Sequence, residues 1–226
     1  KSAWEKALAD AAAQNAVNSR LKRGAGIACM WYGCGNTSIS NPSEMRLTLG
    51  HDGRFVLWSG AVDIGQGVST VLTQIASDAL GIEGAVIGLS DHVGHTGQTL
   101  DAGKTSASRQ TFVSGNAARL AALDLRRKIE RLANVPSGAP IRFDLQRGAL
   151  RIGGAGERLV DIPSLLVEQG TLMGYGRYDP PTTALDADGQ GIPYATYGFA
   201  AQIAEVLVDA ALGTTKVLHI HAAHDV

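Results

Sequence analysis

Between Phe55 and Leu80 the chain changes its hydrophobic period, and the change is compressed into Asp63-Ile64-Gly65-Gln66-Gly67. Phe55 to Val62 alternates as a strand does. Val68, Val71, Leu72, Ile75, Ala76, Ala79 and Leu80 then recur at the spacing of one buried helical face. A strand that stops just before a helix starts needs a sharp turn, and the glycines supply the backbone freedom for it. The helix start offers backbone N–H groups with no intrahelical partner, and its dipole favours an anion or a hydrogen-bond acceptor. Gln66, between Gly65 and Gly67, adds an amide that both donates and accepts. The same residues also suit a purely structural turn.

A second junction of this kind follows. Ala85 to Leu89 predicts a short strand, and Ser90 to Lys104 a long polar connection of the sort that carries function within a compact domain. Thr105-Ser106-Ala107-Ser108-Arg109-Gln110 then leads into a long helix whose Phe112, Val113, Ala117, Leu120, Ala121 and Leu125 share a stripe. Hydroxyls, a guanidinium and an amide crowd that helix start with donors. Two such junctions can converge on one phosphate-bearing, heteroatom-rich cofactor.

Composition removes several alternatives. The chain has 226 residues, 45% of them hydrophobic, enough to bury a real core, and a formal charge of −1. With no basic excess to neutralise phosphates, nucleic acid or an anionic membrane surface is not its main partner. Its cysteines, Cys29 and Cys34, are too few for a four-thiolate metal site. Cys29 is expected in a buried strand, which argues against a disulfide and for a reducing compartment. No apolar run approaches the ~18 residues that span a bilayer. Lys1-Ser2-Ala3-Trp4 has no initiator Met and no signal-peptide pattern, so the expectation is a piece of a longer cytoplasmic polypeptide, with export through a partner subunit as the other route.

Elsewhere the pattern predicts a helix over Ser2 to Val17, a basic connector over Arg20 to Arg23 and a strand over Gly26 to Tyr32. A hairpin is expected where Met45–Leu49 and Arg54–Gly60 flank His51-Asp52-Gly53, and another where Ile141–Leu145 and Leu150–Gly153 flank Gln146-Arg147-Gly148. Asp161 caps a short helix, Thr171 to Asp179 is extended, and Thr196–Asp209 and Thr215–Ala222 are long strands joined around Leu212-Gly213. Strands and helices mix without strict alternation, which favours an α+β fold with mixed sheets and packed helices. In domain terms, 1–23 is a helix and connector and 24–226 the main body. His219 and His221 share a strand face, but no carboxylate or cysteine set beside them has metal-site spacing. No P-loop, G-x-S-x-G or Cys/His pair for covalent catalysis is present.

Gly60 to Leu80 (GAVDIGQGVSTVLTQIASDAL), Leu100 to Ala118 with its DAGKTSASRQT core, and Tyr194 to Val226 resemble the large, molybdenum-binding subunit of the xanthine dehydrogenase/aldehyde oxidoreductase family. The resemblance covers most of the chain after Arg23. It implies part of the molybdenum domain of a hydroxylase that holds molybdenum in a pterin dithiolene, often as a cytosine dinucleotide. Such an enzyme inserts oxygen from water at an aldehyde or N-heterocycle carbon. Electrons leave through [2Fe-2S] clusters, commonly to FAD, on partner domains or subunits. Carried over by position, Gln66 would lie near the molybdenum oxo group or the pterin, Gly65 and Gly67 would allow close backbone approach, and Ala107 would sit beside the metal. Ser106, Ser108, Arg109 and Gln110 would hold the pterin and its phosphate. No metal ligand and no catalytic base falls within the chain. The family's general-base glutamate lies in a G-x-G-E motif expected beyond Val226, and Gly154-Ala155-Gly156-Glu157 matches that motif in the wrong place. The competing expectations are a non-catalytic assembly domain and an unrelated phosphate- or nucleotide-binding domain.

Overall fold

The computed structural model describes residues 2–35, 39–153, 157–168 and 170–225. They form two units, one built from residues 1–33 and 196–226, the other from residues 34–195.

The first unit is a three-stranded sheet with one helix. Helix α1 (Ser2–Val17) has the bounds that its periodicity predicts. Strands β1 (Leu21–Gly33), β9 (Tyr197–Asp209) and β10 (Thr214–Asp225) run antiparallel in the order β1-β9-β10. The expected connector Arg20–Arg23 is instead almost wholly strand. Leu21 pairs with Asp209, so the long β9 partner extends β1 to its first residue. Arg20 grips Asp209 at 2.7 Å, and Asn15 of α1 exchanges hydrogen bonds with the backbone of Arg23, so these basic side chains anchor the strand rather than free a linker. Cys29 is likewise not buried. It lies on the exposed stretch of β1, and no disulfide joins it to Cys34. Alternation alone cannot say whether a strand is covered on one face or both.

The second unit holds the core. β2 (Ser43–Leu49), β3 (Phe55–Trp58), β4 (Ile87–Leu89) and β8 (Leu172–Tyr178) form a sheet in the order β4-β3-β2-β8, with only the β3–β4 pair parallel. β2 alternates buried and half-buried residues, placing Met45, Leu47 and Leu49 inward beside Phe55 and Leu57 of β3. Helices α2 (Val68–Leu80) and α3 (Gly115–Leu132) pack on these strands and on each other. They contribute Val68, Leu72, Ala76 and Leu80, then Ala117, Ala121, Leu125 and Ile129. Each large side chain removed from water here contributes roughly 1.5–3 kcal/mol. The α3 face is mostly alanine, and Gly174 and Gly176 of β8 meet it. A Cβ on Gly176 would lie 2.0 Å from the Ala117 carbonyl oxygen, so helix and strand touch main chain to main chain.

A small sheet of β5 (Ile141–Asp144), β6 (Ala149–Ile152) and β7 (Arg158–Asp161) and the short helix α4 (Ile162–Leu165) complete the unit. The Asp161 carboxylate caps α4 by accepting from the Ser164 N–H at 2.9 Å, as its sequence position predicts. The hairpin β5–β6 has the expected turn, whereas β7 has no counterpart in the sequence reading.

Candidate functional site

β3 ends at Trp58, earlier than the alternation to Val62 implies. The loop after β4 causes this. The Gly94 N–H donates to the Ser59 carbonyl, and Gly60 lies so close to the Leu100 carbonyl that a Cβ would sit 2.3 Å from it. The chain leaves the sheet there and enters the turn Asp63–Gly67 as irregular backbone.

That turn is organised by its own aspartate. Asp63 Oδ1 accepts the N–H groups of Gly65 (2.8 Å) and Gly67 (3.2 Å), and Oδ2 faces the Ser69 N–H at 3.4 Å. The chain can fold back on the carboxylate because Gly65 (φ 107°) and Gly67 (φ 80°) adopt left-handed backbone. Hydrogen bonds from Gly65 first, and then from Gly67, Ser69 and Val68, hold the Asp63 carboxyl below its ordinary value against the opposing effect of partial desolvation. The start of α2 is therefore not the open anion site that its sequence suggests, because it carries a built-in carboxylate.

Gln66 is exposed, and its Oε1 accepts the Ile64 N–H at 2.8 Å. A backbone donor at that oxygen fixes which end of the amide is which. The Nε2 group has no acceptor among the described residues, so the turn presents one amide donor to its surroundings.

The second junction lies beside the first. Thr105 Oγ1 donates to the Val62 carbonyl at 2.7 Å, and Gln110 Nε2 reaches Thr105 Oγ1 at 3.3 Å. Between them, Ala107 (φ 54°) and Ser108 (φ 52°) are consecutive non-glycine residues in left-handed backbone. Such residues cost on the order of 1–3 kcal/mol each and persist only where surrounding structure enforces them, typically at functional sites. The Ala107 carbonyl accepts the Gly35 N–H at 2.7 Å, while the N–H groups of Ala107 and Ser108 have no acceptor among the described residues. Ser106 and Ser108 are exposed and Ala107 is half-buried. The pair is the centre of a turn closed by the Arg109 N–H donating to the Ser106 carbonyl at 3.2 Å, and its own two N–H groups are left to donate to a ligand.

Arg109 and Gln110 point the other way. Arg109 is 1% exposed, and its guanidinium donates to the carbonyls of Ala102, Lys104, Asn41 and Pro42 and to Asn41 Oδ1. Burial pushes it below its ordinary value, and the charges of Asp101 and Asp179 oppose that. Gly103, at φ 64°, lies against the guanidinium so closely that a Cβ would be 2.4 Å from it. The Gln110 amide donates to Lys104 O and Thr105 Oγ1 and accepts from Ser114, whose hydroxyl also meets Ser43 at 2.8 Å. Both side chains clamp the loop from within, so any contact they make with a ligand is through the backbone they hold. The residues Gln110–Ser114 form a π-helical turn continuous with α3, a local widening frequent at functional sites.

Sequence reasoning missed Asp63 as the organiser of its turn, and Asn41 and Gly103 as the seat of Arg109. An aspartate two residues before a glycine is a known self-capping pattern and could have flagged the first. His219 and His221 have ring centroids 6.3 Å apart and Glu205 lies 3.4 Å from His221, yet no group of three ligand side chains is placed for a metal among the described residues. Of the G-x-G-E match, residues 154–156 lie outside the described residues, and Glu157 pairs with Arg151 at 3.3 Å. No helix among the described residues is long and apolar enough to cross a membrane.

The donor set exposed at the two junctions is one carboxamide, the serine hydroxyls and two backbone N–H groups, with the Asp63 carboxylate engaged by its own turn. It fits a ligand rich in oxygen and phosphate. A family model described as the molybdopterin cofactor-binding domain matches residues 1–226. The chain is 33% identical over 127 residues to the putative xanthine dehydrogenase molybdenum-binding subunit of Escherichia coli K12, which spans 56% of this chain and 16% of that protein. It is 29% identical over 208 residues to the aldehyde oxidoreductase of Megalodesulfovibrio gigas, covering 91% of this chain and 20% of that one. Among solved structures, aldehyde oxidoreductase from Desulfovibrio gigas superimposes with a TM-score of 0.77 at 26% identity, over 98% of this chain and 22% of its own. The chain thus spans about a fifth of the length of these relatives.

Proposed function

The chain belongs to the molybdopterin cofactor-binding domain family, and from that membership we propose that it forms one wall of the cofactor site in an oxidoreductase that hydroxylates an aldehyde or N-heterocycle carbon with oxygen from water. The single observation that carries the site assignment is the consecutive left-handed pair Ala107–Ser108, tied through Thr105 to the turn bearing Gln66. When bound, molybdenum in its pterin dithiolene supplies the two-electron oxidation.

The chain's own residues bind and orient. Gln66 directs its Nε2 donor to an oxygen of the cofactor. Gly65 and Gly67 keep side chains out of the approach, and Ala107 keeps its flank small. The backbone N–H groups of Ala107 and Ser108, with the hydroxyls of Ser106 and Ser108, take the pterin and its phosphate. Arg109 and Gln110 fix the loop that carries those donors. The base that activates water comes from outside residues 1–226. The cytosine dinucleotide form of the cofactor, and [2Fe-2S] and FAD partners in the cytoplasm, belong to the same proposal. The family match and the donor set both support this reading, and neither the assembly-domain nor the nucleotide-binding alternative has such support.

Gln66→Ala and Ala107→Trp in the cofactor-loaded enzyme test it. The expected outcome is a loss of molybdenum or a fall in turnover of roughly 10²-fold, the usual cost of removing one directed donor. Full turnover with normal molybdenum content in both variants overturns it.

A further inference from the structure

We propose that Asp63 is a positioning residue for Gln66, holding its amide donor aimed at the cofactor before the cofactor arrives. The inference rests on the site assignment above and deepens it. One carboxylate binds the backbone on both sides of Gln66, through Gly65 N and Gly67 N, and reaches into the first turn of α2 at Ser69 N. The fold-back also brings Ile64 N within 2.8 Å of Gln66 Oε1. Backbone and side chain of Gln66 are thus fixed at opposite ends, and Nε2 is the atom left to meet a ligand. A glutamine on an exposed turn otherwise samples many rotamers, and a donor fixed in advance avoids that reorganisation during reaction.

The same carboxylate determines which junction takes negative charge. An anion approaching the start of α2 meets Asp63 already bound to the N–H groups that would attract it, so like charges repel. At Ala107 and Ser108 the N–H groups have no such carboxylate on them. The Gln66 turn is left to donate to a neutral or oxo-type oxygen, and the phosphate goes to the other loop.

Four forms of the cofactor-loaded protein test this: wild type, Gln66→Ala, Asp63→Ala and Asp63→Asn. Asparagine keeps an acceptor oxygen for the glycine N–H groups and removes the charge. The readouts are molybdenum content, amide hydrogen exchange of residues 63–69, and the Mo(V) electron paramagnetic resonance spectrum after dithionite reduction, which needs no substrate. The expected result is that Asp63→Ala keeps molybdenum within about twofold, speeds exchange at Gly65 and Gly67 at least 10-fold, and reproduces the spectral change of Gln66→Ala. Asp63→Asn restores the wild-type spectrum. A wild-type spectrum in Asp63→Ala beside an altered one in Gln66→Ala overturns the positioning role alone, as does an Asp63→Asn that fails to restore it. A wild-type spectrum in Gln66→Ala at full molybdenum content overturns the site assignment beneath it.

Discussion

Thr105 donates its hydroxyl to the backbone carbonyl of Val62 across 2.7 Å, and this bond links the two glycine- and serine-rich loops side by side. Thr105→Val keeps the shape and removes the donor. Because the bond is solvent-exposed, the stability loss should be small, about 0.5–1 kcal/mol. Molybdenum retention should fall more than that loss implies, since both loops must keep register to share one ligand. Thermal denaturation together with metal analysis of the purified variant checks the pair of effects.

Arg109 should matter to folding as much as to binding. Arg109→Met leaves the carbonyls of Ala102, Asn41 and Pro42 without their donor in a buried place and should cost about 3 kcal/mol. Arg109→Lys keeps the charge but not the planar fork and should recover only part of that loss. Equilibrium denaturant unfolding of the three proteins, compared at constant slope, reads the order.

Ala107→Gly should reverse the usual sign of an alanine-to-glycine change. At φ 54° the Cβ is strained, and relief of about 1–2 kcal/mol outweighs or matches the ~0.5–1 kcal/mol of added chain entropy. The variant should be neutral to about 1 kcal/mol more stable, yet hold its cofactor less tightly because the backbone is no longer confined. Melting temperature rising while cofactor dissociation quickens is the signature to seek in paired measurements.

The Asp63 turn should open only in strong acid. Its carboxyl is held below its ordinary value of 3.8, so its contribution is fully present above that value and is lost as pH falls through the lower folded value. Exchange protection at Gly65 and Gly67, corrected for intrinsic rates, should be flat from pH 7 to about 5 and vanish only below the usual carboxylate range. The Asp63→Asn protein should show no such transition.

Much of the framework is legible in the residues themselves. Helix α2 declares itself because Val68, Leu72, Ala76 and Leu80 need one buried side, and the β2–β3 hairpin because His51-Asp52-Gly53 interrupts two alternating runs. The sites of error share a cause. Arg109 has the side chain of a phosphate ligand, and nothing local says that Gly103 will let the preceding loop wrap around it. Asp63 could have stood free in solvent or met a ligand, and only the fold-back of its own glycines decides that its carboxylate, though exposed, is taken up by their N–H groups. Arg20 to Arg23 became strand because β9, far along the chain, supplied hydrogen bonds as far as Asp209. Each outcome depends on a partner remote in sequence or on a backbone angle, and neither is written in hydrophobic periodicity.

Gly174 and Gly176 leave no side chain between β8 and α3. A joint made of main-chain atoms has almost no play, because it lacks rotamers that could shim it. The strand therefore serves as a datum plane, and the helix start bearing Gln110 is machined from it with the tolerance of peptide geometry. Residues of the two loops can be exchanged without moving that reference, and redesign of this chain should begin by leaving those two glycines alone.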